Sequence, residues 1–158
     1  MKNQDVTIPI RAPILALDLG SKRVGAAVSD ALSISINRLE VIRRTNWKQL
    51  LRDVENLARR FDAQTLVIGL PLKLNGSTGD AAVATRETAL KFARSLKLPV
   101  YLQDERLTSS EAQANLRTAG VPADQIPLRV DSEAAALILR DFLASDQQRI
   151  PLSAHLSE

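Results

Sequence analysis

The chain has 158 residues, with 21 Lys and Arg against 18 Asp and Glu for a formal charge of +3, and a pI near 9.6. A length of this order suits one domain that buries roughly two-thirds of its unfolded surface, and the weak positive balance tilts toward an anionic partner such as nucleic acid. Cysteine is absent and the one histidine, His155, lies near the C-terminus, which removes disulfide frameworks, zinc knuckles, thiol nucleophiles and iron–sulfur clusters and counts against a Ser-His-Asp triad or a two-histidine metal site. Catalysis must then rest on carboxylates, hydroxyls, Lys, Arg or hard metal ions held by oxygen. Aromatic residues make up 3% of the chain, which argues against base-stacking sheets. No stretch reaches the eighteen or so apolar residues of a membrane helix, and MKNQDVTIPI has no secretory apolar core, so a cytoplasmic protein that makes no membrane contact is expected.

Residues 1–13 read as an N-terminal tail. The run Ile14-Leu15-Ala16-Leu17-Asp18-Leu19 is apolar enough for a central strand, Gly20 to Arg23 supplies a turn, and Val24 to Ser29 resumes as the second strand of a hairpin. A third extended segment is placed around Arg38 to Arg43. From Trp47 to Phe61 the apolar residues recur at helical spacing, with Asn46 as N-cap. Thr65 to Gly69 is a fourth strand, Leu70 to Gly79 a loop, Asp80 to Leu96 a helix and Pro99 to Asp104 a fifth strand. Thr108 to Glu111 has capping-box spacing for a helix ending near Gly120, and the last helix is placed over Ser132 to Leu143. Residues 145–158 read as a C-terminal tail, which leaves 14–144 as the single domain. Antiparallel strands followed by alternating strands and helices imply a mixed five-stranded sheet, its first three strands antiparallel, with helices on both faces. That order is the one used by the ribonuclease H-like fold.

Three carboxylates stand at the edges of apolar elements: Asp18, Glu105 and Asp131. Burying a charge in such places costs several kcal/mol, on the order of magnitude known for ions, unless it is paired or coordinated. Each also has a plain structural reading. Asp18 could cap the Gly20 turn, Glu105 could be a solvated charge at a strand end, and Asp131 could be the N-cap of the final helix. In a ribonuclease H-like sheet the first and fourth strands are neighbours and the last helix packs beside them, so the three acids can converge. Such a cluster repels itself unless one or two Mg²⁺ or Mn²⁺ ions supply the opposite charge.

Four segments in order, LALDLGSKRVGAAVSD from Leu15, VIGLPLKLNGSTGD from Val67, LQDERLTSSEA from Leu102 and VDSEAAALILRDFL from Val130, resemble the YqgF/RuvX group of pre-ribosomal-RNA nucleases, once described as Holliday-junction-resolvase-like. The resemblance spans Ile14 to about Ala144. It implies a metal-dependent nuclease that matures the 5′ end of pre-16S ribosomal RNA on ribosome-assembly particles, with structured DNA as a second candidate substrate. Asp18, Glu105 and Asp131 fall at the family's acidic positions. The same match gives Lys22, Arg23, Lys73, Asn75, Ser77, Thr78 and Arg106 as residues placed to touch backbone phosphates.

The chain departs from the group in two places. Members commonly carry several basic residues before the last motif, whereas Pro122 to Arg129 offers only Arg129; and Ala134 stands where a further acid is frequent in junction resolvases, with Glu133 two positions beyond Asp131 and therefore turned elsewhere on a helix. Two other readings stay open. DLGSKRVGAAVSD also resembles the first phosphate motif of actin-like ATPases, and the fold could serve as a non-catalytic ribosome-assembly or nucleic-acid-binding module.

Overall fold

The computed structural model describes residues 9–73, 75, 77–105, 108–144 and 149–152. The elements are β1 (Ile14–Leu19), β2 (Arg23–Ser29), β3 (Ile36–Arg38), β4 (Ile42–Arg43), α1 (Trp47–Arg60), β5 (Thr65–Leu70), α2 (Asp80–Ser95), β6 (Val100–Asp104), α3 (Thr108–Thr118), α4 (Ile126–Ala144) and β7 (Arg149–Leu152). One mixed sheet runs in the order β3-β2-β1-β5-β6-β7, with β4 also on β2. β1 pairs antiparallel with β2 and parallel with β5, and β5 pairs parallel with β6.

Alternation along the strands sends successive residues to opposite faces. Leu15 and Leu17 of β1, Leu66 and Ile68 of β5, and Val100 and Leu102 of β6 join Leu50 and Val54 of α1 and Phe92 of α2 in one core. Ile14 and Ala16, Ala27 and Val67 face the other way, into Ala135, Ile138, Leu139 and Phe142 of α4. Asn46 caps α1 as its position suggested, its Oδ1 accepting the Gln49 N–H at 2.9 Å.

The sheet differs from the expected five strands in two places. The segment expected over Arg38 to Arg43 is two short strands, because between the Ala27–Arg38 and Val24–Ile42 pairs it spends four residue steps against three on β2. The extra residue is a bulge opposite Gly25. It frees the Leu39 carbonyl, which accepts the Ser132 hydroxyl at 2.6 Å. At the other edge, the stretch read as a tail supplies β7, which pairs antiparallel with β6; Pro151 is tolerated there because edge strands leave N–H positions unused.

Helix α4 begins at Ile126, earlier than the expected Ser132, since Pro127 falls in the first turn, where its missing N–H breaks no helical bond. Asp131 therefore lies inside the helix and is not its N-cap. The helix is nearly all buried from Ser132 to Leu139. It is pinned at Glu133, whose buried carboxylate takes a two-pronged contact from Arg38 of β3 through Nε and, at 3.0 Å, Nη2. Arg140 binds Glu111 of α3 at 2.7 Å and 3.3 Å, so the Glu111 carboxylate is spent on tying α3 to α4, and that contact holds its pKa below the usual glutamate range.

At Gly25 the α4 backbone leaves no space for a side chain. A Cβ there would stand 1.9 Å from the Asp131 carbonyl oxygen and 2.8 Å from the Ser132 nitrogen. Gly25→Ala should therefore lower the unfolding free energy by about 3 kcal/mol, because backbone atoms cannot swing aside. Gly79→Ala, where the nearest atom is the flexible Lys73 Cε at 3.0 Å, should stay within about 0.5 kcal/mol. Urea denaturation compares the two, and equal losses would contradict the close packing. Arg38→Met should cost about 2 kcal/mol by leaving the Glu133 charge buried and unpaired, and adding Glu133→Gln should recover most of that loss; additive losses in the double variant would count against the pair.

Candidate active site

Strand alternation carries Asp18 onto the α4 face, two residues beyond Ala16, at the C-terminal end of β1. β6 runs parallel to β5 and stops at Asp104; the Glu105 N–H extends the pairing by donating to the Leu70 carbonyl at 3.1 Å. The Glu105 carboxylate lies over Gly69 of β5, where a Cβ would meet its Oε2 at 2.7 Å. Asp131 reaches the same end of the sheet from α4, because Gly25, the register partner of Asp18, lets the helix backbone down onto β2. Two strand glycines thus make the room that two of the acids use.

The Gly20 turn does not use the Asp18 carboxylate as a cap. It is closed by the Gly20 N–H, which donates to the backbone carbonyls of Arg23 at 2.9 Å and Asp18 at 3.2 Å. The Asp18 carboxyl is pushed up to about 6, chiefly by burial; hydrogen bonding with Glu105 works against this by favouring the charged form, and the Asp131 charge adds to it. One rim therefore holds Asp18 in hydrogen-bonding contact with Glu105 and in the field of Asp131.

Asp131 is drawn to a cation of the chain itself. Its Oδ2 lies 3.1 Å from Arg23 Nε, but without hydrogen-bond alignment, and this buried oxygen has no hydrogen-bond partner. With Asp131 so held, no three Asp, Glu, His or Cys side chains among the described residues are grouped tightly enough to enclose an ion. The donor set nevertheless fits a hard divalent cation. It consists wholly of carboxylate oxygens, one of them is pushed toward its neutral form, and another has a buried oxygen lacking a hydrogen-bond donor.

The residues expected to meet phosphates divide into groups. Lys22 is exposed in the turn between β1 and β2, with its carbonyl accepting the Arg44 N–H at 2.8 Å. Arg23 sits on Asp131. Lys73, Asn75, Ser77 and Thr78 belong to the exposed connection from β5 to α2, at the same end of the sheet as the acids. There Asn75 Oδ1 accepts the Ser77 N–H at 2.9 Å and the Lys73 N–H donates to the Ser77 carbonyl at 3.1 Å. The Lys73 stem lies against Gly79, which caps α2 without a side-chain bond. Arg106 lies outside the described residues. Arg129 is exposed and donates to Gln125 at 3.2 Å.

Sequence reasoning passed over Gly25, Gly69 and Arg44. The glycines had a visible signal, since an isolated glycine inside a strand marks a close approach by another group. Arg44 had none: it follows β4, and only the fold brings its Nη1 within 2.9 Å of the Gly20 carbonyl.

Two solved structures share the architecture. Thermus thermophilus RuvC aligns at a TM-score of 0.52 and 16% identity over 88% of this chain and 99% of that one. T. thermophilus RuvC in complex with Holliday junction substrate aligns at 0.55 and 17%, over 88% and 98%. The fold is therefore the mixed α/β, ribonuclease H-like fold of the RuvC resolvases. At the level of sequence, the RuvX profile, described as Holliday junction resolvase, matches residues 12–145. A protein of Syntrophus aciditrophicus (strain SB) is 37% identical over 142 residues, covering 89% of this chain and 95% of the relative. One of Anaeromyxobacter sp. (strain Fw109-5) is 40% identical over 129 residues, covering 82% and 94%. Both bear the name "Putative pre-16S rRNA nuclease". The chain belongs to the RuvX family.

The raised pKa of Asp18 has a consequence for stability in chelator. In the unfolded chain this carboxyl titrates near 3.8 and in the folded chain near 6, so the folded state holds the extra proton between these values and its stability falls as pH rises through that window. Asp18→Asn removes the charge and keeps the shape. It should flatten the pH dependence between about 4 and 6 and stabilise the metal-free protein at pH 7 by on the order of 2 kcal/mol. Thermal denaturation in EDTA across that range is the check, and a variant less stable than the parent at pH 7 would contradict the assignment.

Proposed function

We propose that the chain is a divalent-metal-dependent nuclease that hydrolyses phosphodiester bonds in RNA, with Asp18, Glu105 and Asp131 holding Mg²⁺ or Mn²⁺. The observation that carries this reading is the arrival of three acids from β1, the end of β6 and α4 at one rim, where the half-buried Asp18 is pushed toward neutrality. A bound divalent ion supplies such a site with an activated water and charge stabilisation for the leaving oxygen. The chain's own groups do the rest. The β-sheet end and the α4 backbone fix the carboxylates, and Arg23 compensates Asp131 until a stronger cation takes its place. Lys22 and Lys73 stand exposed on the two loops that flank the rim, where they can neutralise the phosphates of a strand crossing it. The name borne by the relatives, "Putative pre-16S rRNA nuclease", supports the precursor of 16S ribosomal RNA as the substrate; on this reading the chain processes its 5′ end within ribosome-assembly particles.

Purified protein should cleave a pre-16S leader RNA in Mg²⁺ or Mn²⁺ and lose that activity in EDTA. Asp18→Asn and Glu105→Gln should each reduce the rate by at least about 100-fold. Cleavage that survives both substitutions would overturn the site, and preference for a four-way DNA junction in the same assay would overturn the substrate. The Arg23–Asp131 ion pair, and the absence among the described residues of three acids grouped tightly enough to enclose an ion, favour a non-catalytic binding module; retained RNA affinity with no metal-dependent cleavage would establish that reading instead.

RNA affinity should depend on salt shallowly. With about two or three phosphate contacts, the logarithm of the binding constant should fall with that of salt at a slope of roughly 0.7 per contact. Lys22→Ala combined with Lys73→Ala should weaken binding and flatten the slope, whereas Arg129→Ala should change little. A steep slope unaffected by the double substitution would move the RNA to another surface, such as the face of α1 bearing Arg52, Arg59 and Arg60.

A further inference from the structure

A cavity of about 310 Å³ lies between the Gly20 turn, the start of α2 and the end of β6, and Glu105 forms part of its wall. Its apolar lining is small, from Leu19, Pro71, Ala81 and Ala84, and its polar lining residues are Ser21, Arg44, Thr85 and Thr88 beside Glu105. Leu19 belongs to the sheet face opposite α4, so the cavity opens on the far side of the rim from Asp131. Glu105 borders both spaces: its carboxylate touches Asp18 and overlies Gly69, and it also closes the cavity. Whatever occupies the cavity is thereby adjacent to the acids.

We propose that this cavity seats one unpaired nucleoside of the RNA strand, next to the phosphate held at the acidic rim. The proposal rests on the nuclease reading for its substrate. Its volume lies at the lower end of the range of ligand pockets, roughly 300–1,000 Å³, enough for one nucleoside and too little for a base pair. The flat apolar walls give a base its faces and the hydroxyls meet its edges. Arg44 supplies the stacking plane that the chain's few aromatics do not. Its backbone N–H donates to the Lys22 carbonyl at 2.8 Å and its Nη1 to the Gly20 carbonyl at 2.9 Å, which fixes the guanidinium at the cavity wall, and unstacked bases in RNA complexes pack on arginine planes as well as on aromatic rings. The small residues of α2 that face the cavity have a use on this account, since a larger side chain at Ala84 would fill the space.

The test is binding of a single-stranded RNA in which 2-aminopurine replaces one base at a time, to protein carrying Asp18→Asn so that cleavage does not intervene. Fluorescence should rise at least threefold at a single position, where the base leaves its stack. Ala84→Phe, on an exposed helix position, should abolish the rise and raise Kd about tenfold or more, the loss expected for one stacked base. Ala84→Leu serves as the second filling variant, with circular dichroism confirming the fold of each. Arg44→Lys, which keeps charge and loses the plane, should reduce the rise by at least half. No position of enhanced fluorescence, or an enhancement indifferent to both Ala84 variants, would overturn the pocket. Failure of the nuclease reading shows separately, as an unsubstituted chain that leaves the same RNA uncut in Mg²⁺.

Discussion

Helix α4 rests on β2 backbone to backbone at Gly25, and the geometry of the site descends from that contact. Because a Cβ would overlap the Asp131 carbonyl, only glycine lets the helix come down to the sheet at this point. The strand partner of Gly25 is Asp18, so the same contact that seats the helix sets Asp131 beside Asp18. The neighbouring groups hold the helix in place. Opposite Gly25 the bulge between β3 and β4 releases the Leu39 carbonyl to Ser132, and one residue further along the helix Glu133 takes Arg38. Three successive residues of α4 are thus used in three ways, against the sheet backbone, against the bulge and against the edge strand.

Bringing acids together in this way is unfavourable in isolation, and the chain offsets the cost locally. Asp18 moves toward its neutral form, Glu105 shares hydrogen bonding with it, and Arg23 covers Asp131. These compensations are partial, as the Asp131 oxygen without a hydrogen-bond donor shows. Glu133 presents the contrasting case of a buried acid with a fully engaged partner, bound by Arg38 through two nitrogens. Two acids within a single turn of α4 thus differ in how they are met: Glu133 is matched by a fork of donors, and Asp131 is left short of them.

Much of this was legible in the residues. The apolar run from Ile14 marked β1 and made Asp18 anomalous, the spacing from Trp47 gave α1, and the order of elements gave the ribonuclease H-like sheet with β1 beside β5. Other features were hidden for identifiable reasons. Pro127 reads as a helix breaker unless its place in the first turn is known, so α4 was expected to begin six residues late and Asp131 to stand at its cap. Arg149 to Leu152 has the composition of a tail, and only pairing with β6 makes it a strand. The split of β3 and β4 depends on a bulge, which is a property of register rather than of residue type. Glu111 had capping-box spacing, but its carboxylate is taken by Arg140, 29 positions away.

The central claim is that the three acids set at one rim by α4 form a cation site. A crystal of the protein soaked in Mn²⁺, with data collected at the manganese absorption edge, tests it most directly. The account expects an anomalous peak in contact with Asp18 and Glu105, with Asp131 drawn from Arg23 toward the ion. A crystal with no manganese at the rim, the Arg23–Asp131 contact intact and Asp18 still hydrogen-bonded to Glu105 would contradict it.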